Sequence, residues 1–595
     1  TAYMKITIKK TTTSAAPADR KTREPEFIIK GASLLKCNPN GCKVIKVPTK
    51  VMVIGSHAFS QTDVEEVILP NNINTIGEAA FYQCNNLKKI NFPEKLERIK
   101  KRAFARCISL ESADLPAQML YIGDFAFELS GLKQITLPEK ITGRSKIGEY
   151  IFTKTALETV NIPKSFDLER GMFANCHKLK AVKFNCMGID VPESCFINCE
   201  NLEKINLRAI DWFGERSFSG CTSLKEKKLT FEDYQHVSAY AFMQCPFTKI
   251  YIKDIRNIDK GAFRECSQLE EVTINSLTES YVKMGTFRDC SNLKTVVFTD
   301  KANVNITNID ASAFTGCQKL TEIKLPQVLK HIGPCAFMNT GIRDITLPDG
   351  LNIIEENAFT STDIEEISIP DSVISLNKYT FSNCLWLKRV YLSKRLTTIP
   401  AGCFAGCTEL CEIVGTEDIK NIEFAAFSEC YRLAEFNFTN ICFIRRNAFE
   451  NSGLKEVKCS SALLKIEKQA FSYCINLKKV DLSGCTKLKT IPEECFGYCN
   501  NELEIELPCK KLVFERRCLD GTKLEHLIIY SGKDSGLKEC ALFGAKIHTL
   551  EFLPDENETE QAQYTGREFI NAKIDELLIP DYLYDKYKKI WDSMK

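Results

Sequence analysis

The stretch Ile76-Gly77-Glu78-Ala79-Ala80-Phe81-Tyr82-Gln83-Cys84-Asn85-Asn86-Leu87-Lys88-Lys89-Ile90-Asn91-Phe92-Pro93 contains the whole structural unit of this chain. Ile90 and Phe92 alternate with Lys89 and Asn91, the period of two of a short strand with one buried and one solvated face. Pro93 follows directly and, lacking an amide donor, closes the strand and forces a turn. Pro70, Pro116, Pro138, Pro163, Pro326, Pro348 and Pro370 stand at the same place in other copies. The segment before the strand is a return carrying Ile76 and the Ala80-Phe81 pair. Its aromatic is expected to point inward, because a lone unit can bury its apolar face only against the next copy.

Placing the aromatic of every Ala-Phe-like pair in one column runs from Phe59 through Phe81, Phe104, Phe263 and Phe404 to Phe496, and ends on Leu519, Leu542 and Phe569. These twenty-three copies recur at a mean spacing of about 23 residues, inside the window of leucine-rich repeats and shorter than ankyrin, tetratricopeptide or propeller units. Of the 37 phenylalanines, 21 stand in the column, so a stacked Phe ladder is the dominant cohesive element to expect. At 595 residues the length would suggest several compact domains, but that inference fails for arrays whose units touch only their neighbours. The expected fold is an α/β repeat solenoid, an arc of about 23 repeats with one short parallel strand each.

Lys and Arg total 79 against 77 Asp and Glu, a formal charge of +2. Taken whole, the chain has no electrostatic footprint for nucleic acid or a membrane surface, and a charge-reading partner must use a local patch. No apolar run approaches the roughly 18 residues that cross a bilayer, so membrane insertion is not expected.

The 28 cysteines invite a disulfide or metal reading that their register opposes. Half of them stand three residues after the column aromatic, among them Cys84, Cys107, Cys266 and Cys407; the other nine copies carry Thr, Ser or Ala there, as at Thr62, Ser130 and Ala545. The slot is read as one for a small, mostly apolar side chain, with Phe81, Phe104, Phe263 and Phe404 beside those four cysteines as members of one structural ladder. Cys403, Cys407 and Cys411 form a C-x3-C-x3-C run without a His, and no metal is expected there. Cys37 and Cys42 precede the first full copy and are the candidate disulfide, since terminal repeats need caps. Asn305 and Asn557 begin glycosylation acceptor patterns that matter in a secreted chain; Asn437 begins a third, inside a strand register, and is expected to stay silent.

Residues 1–26 read as a strand-like arm and linker, 27–48 as an N-terminal cap, 49–580 as the repeat solenoid and 581–595 as a closing helix. The unit I-x-x-x-A-F-x-x-C-x-x-L-x-x-I-x-L-P, written here from Ile76 to Pro93, resembles the BspA-like or Treponema pallidum-type leucine-rich repeat. The tail from Ile579 to Trp591 also looks like the short capping helix that follows the last strand in bacterial members. The resemblance implies a non-catalytic protein-binding role, adhesion or ligand recognition, at a secreted or cell-surface location, with a host, matrix or assembly protein as partner. These residues contain no recognisable signal peptide or anchor, and a cytoplasmic location stays open. An intracellular or particle-associated scaffold is the alternative function.

Outward positions of neighbouring strands lie about 4.8 Å apart, which makes them the candidate partner-binding face. Lys183, Lys204, Lys227, Lys228 and Lys249 cluster in consecutive copies, with Tyr251 as an aromatic anchor. Glu322, Asp344, Glu366, Glu412, Glu435 and Glu456 form an acidic stripe interrupted by Arg389, with Tyr391 as the second anchor. Like charges side by side on a sheet are unfavourable, so the stripe points to a basic partner or a cation.

Six histidines, each in a different copy, accompany no nucleophile elbow, phosphate loop or zinc spacing. A ribbed surface offers no pocket of convergent groups, and neither an enzyme nor a cofactor is expected. A carbohydrate-active β-solenoid enzyme is the further alternative, since such enzymes also bear acids on ribbed sheets.

Overall fold

The computed structural model describes residues 24–595 apart from 140–146, 233–234, 254–256, 276–279, 300–304, 501, 509, 532–535, 555–563 and much of 582–595. The repeats fall into two compact units, Thr1–Asn185 and Cys186–Lys595, each a parallel-strand solenoid.

In both units one turn contributes two strands where the sequence suggested one. In most turns a strand of two to four residues follows the leucine-type anchor, as at Glu66–Ile68 after Val64 or Lys249–Ile252 after Phe247. A two-residue strand precedes the Ala-Phe pair, as at Thr75–Ile76, where Thr75 faces Arg98 and Ile76 faces Ile99. Two residues are too few for a period of two to show along the sequence. The inward residue of each short strand is an apolar side chain such as Ile54, Ile76 or Ile99, fully buried.

The return is too tight for a helix, and the α/β assignment is corrected to an almost purely β solenoid. Among the described elements the helical ones are two three-residue 3-10 turns, Leu207–Ala209 and Arg567–Phe569. The closing helix expected over 581–595 falls mostly outside the described residues and is not among the described elements. The reason lies in the backbone around the column aromatic, where the residues two before and two after it turn left-handed. Around Phe81 these are Ala79, with φ of 49°, and Gln83, with φ of 58°. Each such reversal turns alternate amides outward along the stack. Ala79, Phe81 and Gln83 donate to the carbonyls of Lys101, Ala103 and Ala105 one turn on, at 2.8–2.9 Å, whereas Tyr82 and Cys84 close bonds within their own turn. A helix would need every amide for itself.

The phenylalanines of the column are buried and stack face to face. In the first unit Phe59, Phe81, Phe104 and Phe127 follow one another at centroid separations of 4.8, 5.1 and 5.1 Å. In the second, Phe242, Phe263 and Phe287 do so at 5.7 and 5.8 Å.

The cysteine slot carries a hydrogen bond as well as volume. Cys84 Sγ donates to the Phe59 carbonyl of the preceding turn at 2.9 Å, Cys107 to Phe81 at 3.0 Å, Cys266 to Phe242 at 3.2 Å and Cys407 to Phe381 at 3.1 Å. Where Thr replaces Cys, its hydroxyl donates instead to the column carbonyl of its own turn, as Thr340 to Phe337 at 2.8 Å. In the Cys and Thr copies the slot thus holds a small side chain that also donates, while Ala545 and Ala572 fill it by size alone.

At the N-terminal end, Glu26–Lys30 pairs antiparallel with Ser33–Asn38, and this hairpin joins the short-strand sheet through Leu34 and Ile54. Most of the arm expected over 1–26 lies outside the described residues. Cys37 is buried within the hairpin, and Cys42 lies half-buried in the turn after it. Burial, with Cys42 and Cys84 nearby, pushes the Cys37 thiol up to about 12.

Candidate protein-binding face

The outward residues of the longer strands come into lateral register, because a parallel ladder places the same position of each turn beside its neighbours. In the first unit Lys183 stands exposed next to Asn161. In the second, Lys228 and Lys249 are direct neighbours, and Lys249 forms an ion pair with Glu271 of the following strand. Lys204 is exposed, and Lys227, just before its strand, reaches Gln268 Oε1 at 3.5 Å. Tyr251 is 39% exposed, between Thr230 and Thr273.

The acidic stripe is structured differently from its sequence reading. Glu322 and Asp344 are bridge partners, bringing two exposed carboxylates side by side. Glu366, Arg389 and Glu412 are consecutive neighbours, and Arg389 binds both acids, with Nη1 3.2 Å from Glu366 Oε2 and Nε 3.5 Å from Glu412 Oε2. A hydrogen bond with Tyr391, followed by those two carboxylates, raises the guanidinium pKa further. Arg389 thus clamps the stripe rather than breaking it. Glu435 is exposed outside any strand, and Glu456 faces Lys479. Beside the Glu322–Asp344 pair the surface opens into a groove of about 750 Å³ lined by Val297, Gln327 and Thr346 as well as the two acids.

Sequence reasoning missed a second charged column, the residue directly after the leucine-type anchor in most turns, interrupted by Thr248, Thr321, Cys411 and Ala434. Glu65 lies between Lys43, at 3.8 Å, and Lys88, at 2.8 Å; Glu111 pairs with Lys133 and Glu158 with Lys180. In the second unit Glu203 pairs with Lys225, Glu270 with Lys294 and Glu365 with Lys388. The bond from Lys88 lowers the Glu65 pKa, as that from Lys388 lowers Glu365. Exposed pairs of this kind add little stability individually, but sign alternation at one position per turn penalises a slipped register. The signal was present as a Lys/Glu alternation at the repeat spacing.

A half-buried network on the short-strand face had no periodic signal. Trp212 Nε1 donates to Ser238 Oγ, Asn257 bonds His236 and Asp259, and Lys283 reaches Asn257 Oδ1 at 2.7 Å and Asp259 Oδ1 at 2.9 Å. Burial opposes the charge of Asp259, but the bonds from Lys283 and Asn257 prevail and lower its pKa.

Cys403 and Cys407 are buried, whereas Cys411 is exposed with its thiol directed at the Lys388 carbonyl, so the C-x3-C-x3-C run does not converge. Among the described residues no group of three or more His, Cys, Asp or Glu is arranged to hold a metal ion, and no helix is long and apolar enough to cross a membrane. Asn305 is exposed; Asn557 lies outside the described residues. Asn437 is exposed and its side chain accepts from the Thr439 amide at 3.1 Å.

Burial raises the Cys176 thiol to about 11 and the Cys266 thiol to about 12, keeping both protonated at pH 8. In native alkylation at pH 8 read by peptide mass spectrometry, Cys411 should label first and Cys176 and Cys266 only after denaturation. Comparable labelling rates would show that the ladder is not closed.

Two parallel ladders per turn, a stacked aromatic column and an outward ribbed face define a leucine-rich-repeat solenoid, an architecture whose extended surfaces serve in general as protein-interaction modules. The BspA type leucine-rich repeat region matches this chain in six copies, over residues 52–180, 145–254, 189–308, 235–365, 330–455 and 420–541, and the chain belongs to that family. Among solved structures it is similar to a leucine-rich repeat protein from Bacteroides ovatus, 26% identical over 67% of this chain and 94% of that one, with a TM-score of 0.45. It is also similar to a leucine-rich cell surface protein from Faecalibacterium prausnitzii, at 18% identity, 83% and 96% coverage and a TM-score of 0.24. The leucine-rich repeat protein of T. pallidum matches at 19% identity, 33% and 82% coverage and a TM-score of 0.23. Among the curated proteins there is no match.

Proposed function

We propose that the chain is a non-catalytic binding protein for a protein ligand, an adhesin-like module that reads its partner with the outward face of the second unit's longer strands. The observation that carries this reading is the lateral register of Glu322 with Asp344 and of Glu366, Arg389 and Glu412, an ordered row of charges on adjacent strands. Arg389 holds Glu366 and Glu412 in fixed positions, so a basic partner meets carboxylates already ordered. Tyr391 and Tyr251 add aromatic contact area at small entropic cost.

The test uses the full chain and a Glu366→Lys, Glu412→Lys, Glu435→Lys variant as baits in the same extract, with recovery quantified by mass spectrometry. A partner held by the wild type should fall at least about tenfold in recovery with the variant; unchanged recovery of every partner overturns the assignment. Glycan at Asn305 or Asn557 in native material would place the protein outside the cell. Unmodified acceptor sites together with fully reduced thiols would favour the scaffold reading.

A further inference from the structure

The short-strand ladder of the second unit is interrupted between Lys465–Ile466 and Thr490–Ile491, which belong to separate sheets. Pro492 directly follows Ile491 and has no amide to donate to Ile466, whereas the residue at that place in the preceding turn, Glu467, bonds the Ile444 carbonyl at 2.9 Å. Pro400 stands at the same kind of break between Ser375–Leu376 and Thr398–Ile399, and here the connection 482–489 is also longer than its counterpart 459–464. A groove of about 720 Å³ opens there. Its lining includes four lysines, Lys465, Lys468, Lys487 and Lys489, against one acid, Glu467, and its apolar part comprises Phe443, Leu464 and Leu488. Leu464 is 40% exposed, and the Arg445 guanidinium sits 4.9 Å from the Phe443 ring centroid.

Two of the lysines are already matched, Lys465 to Glu467 at 3.0 Å and Lys468 to Glu493 at 2.8 Å. Lys487, Lys489 and nearby Lys510 take part in no ion pair among the described residues; Lys510 Nζ donates to the Thr486 carbonyl at 2.7 Å. Burial and then the charge of Lys489 lower the Lys510 pKa, so the cations crowd one another. This departs from outer-column pairs such as Lys88 with Glu65 and Lys388 with Glu365, where a cation meets an acid of the neighbouring turn. Crowded cations beside exposed leucine are unfavourable in the isolated chain and become favourable when an anionic, partly apolar ligand covers them.

We propose that this groove binds an acidic polypeptide segment of a partner protein, its carboxylates on Lys487 and Lys489 and its apolar side chains against Phe443 and Leu464. A nucleic acid fits less well. The chain has a net charge of only +2, and a phosphate backbone would leave the apolar floor of the groove uncovered. The groove lies on the short-strand side, and this proposal is independent of the acidic row on the longer strands.

Fluorescence anisotropy of a fluorescein-labelled peptide alternating Glu and Leu, titrated with the full chain, tests it. Saturable binding is expected, weakened at least about tenfold by Lys487→Glu with Lys489→Glu, by a Gln-for-Glu peptide and by raised salt. Leu464→Ser should weaken it severalfold. Both positions changed to Glu are exposed, and circular dichroism with thermal melting confirms that the variants stay folded. Absence of saturable binding, or binding indifferent to the double variant, overturns the proposal. Tighter binding of heparin or a single-stranded oligonucleotide than of the peptide, unaffected by Leu464→Ser, overturns it in favour of a general polyanion site.

Discussion

Phe263→Ala should destabilise the second unit by about 3–5 kcal/mol, measured by chemical denaturation followed by circular dichroism. The ring is fully buried and stacked on Phe242 at 5.7 Å and on Phe287 at 5.8 Å, with interplanar angles of 1° and 9°, and Phe231 packs against it at a tilt. Removing it leaves two aromatic faces across a void that the backbone cannot close. The amides of Phe263 and its left-handed neighbour Glu265 are bonded to Thr286 and Arg288 of the next turn, at 3.0 and 2.8 Å. A solenoid gains cohesion only between neighbours, so the loss should also split the unfolding transition at this turn. Leucine should recover more than half of the loss, since Leu519 and Leu542 fill the same column fully buried. A loss under about 1 kcal/mol would mean that the column is not the main source of cohesion.

Gly402→Ala should destabilise by about 2–4 kcal/mol, for two reasons that can be separated. Gly402 has φ of +58°, a conformation L side chains adopt at a cost of about 1 kcal/mol. In addition, a Cβ there would lie inside the ring of Tyr379, whose side chain covers the glycine from the preceding turn. The pairing recurs, with Gly261 under Tyr240 and Gly171 under Tyr150. Where the following residue is larger the aromatic finds another arrangement, as Phe125 stacks on Tyr150 at 5.3 Å. In a Tyr379→Ala background the same substitution should cost only the backbone part, about 1 kcal/mol, giving a coupling of about 1–3 kcal/mol in the double-mutant cycle. Equal costs in both backgrounds would show that the ring does not constrain the glycine.

The sequence by itself determined the repeat length, the inward phenylalanine column, the cysteine register and the longer strand with its outward residues. Each signal recurs at every turn because each turn meets nearly the same neighbours, and about twenty repetitions make a weak preference unmistakable. The lateral pairings of the charged face followed from that period, and Glu322 beside Asp344 and Glu366 beside Arg389 stand where a regular ladder puts them.

Tertiary structure alone decided what depends on relations between turns. The short strands, such as Thr75–Ile76, exist only because the neighbouring turn offers partners. Left-handed residues two before and two after the aromatic replace a helical return, a choice set by inter-turn bonds and invisible in positions occupied by Ala79, Arg102 and Phe125 alike. Arg389 read as a break in the acidic row because sequence spacing counts residues, whereas a guanidinium reaches carboxylates on both sides of its strand. The lysine groove follows the same logic, since Pro492 looks like one more turn residue along the chain but withholds the amide that would bond the turn beside it.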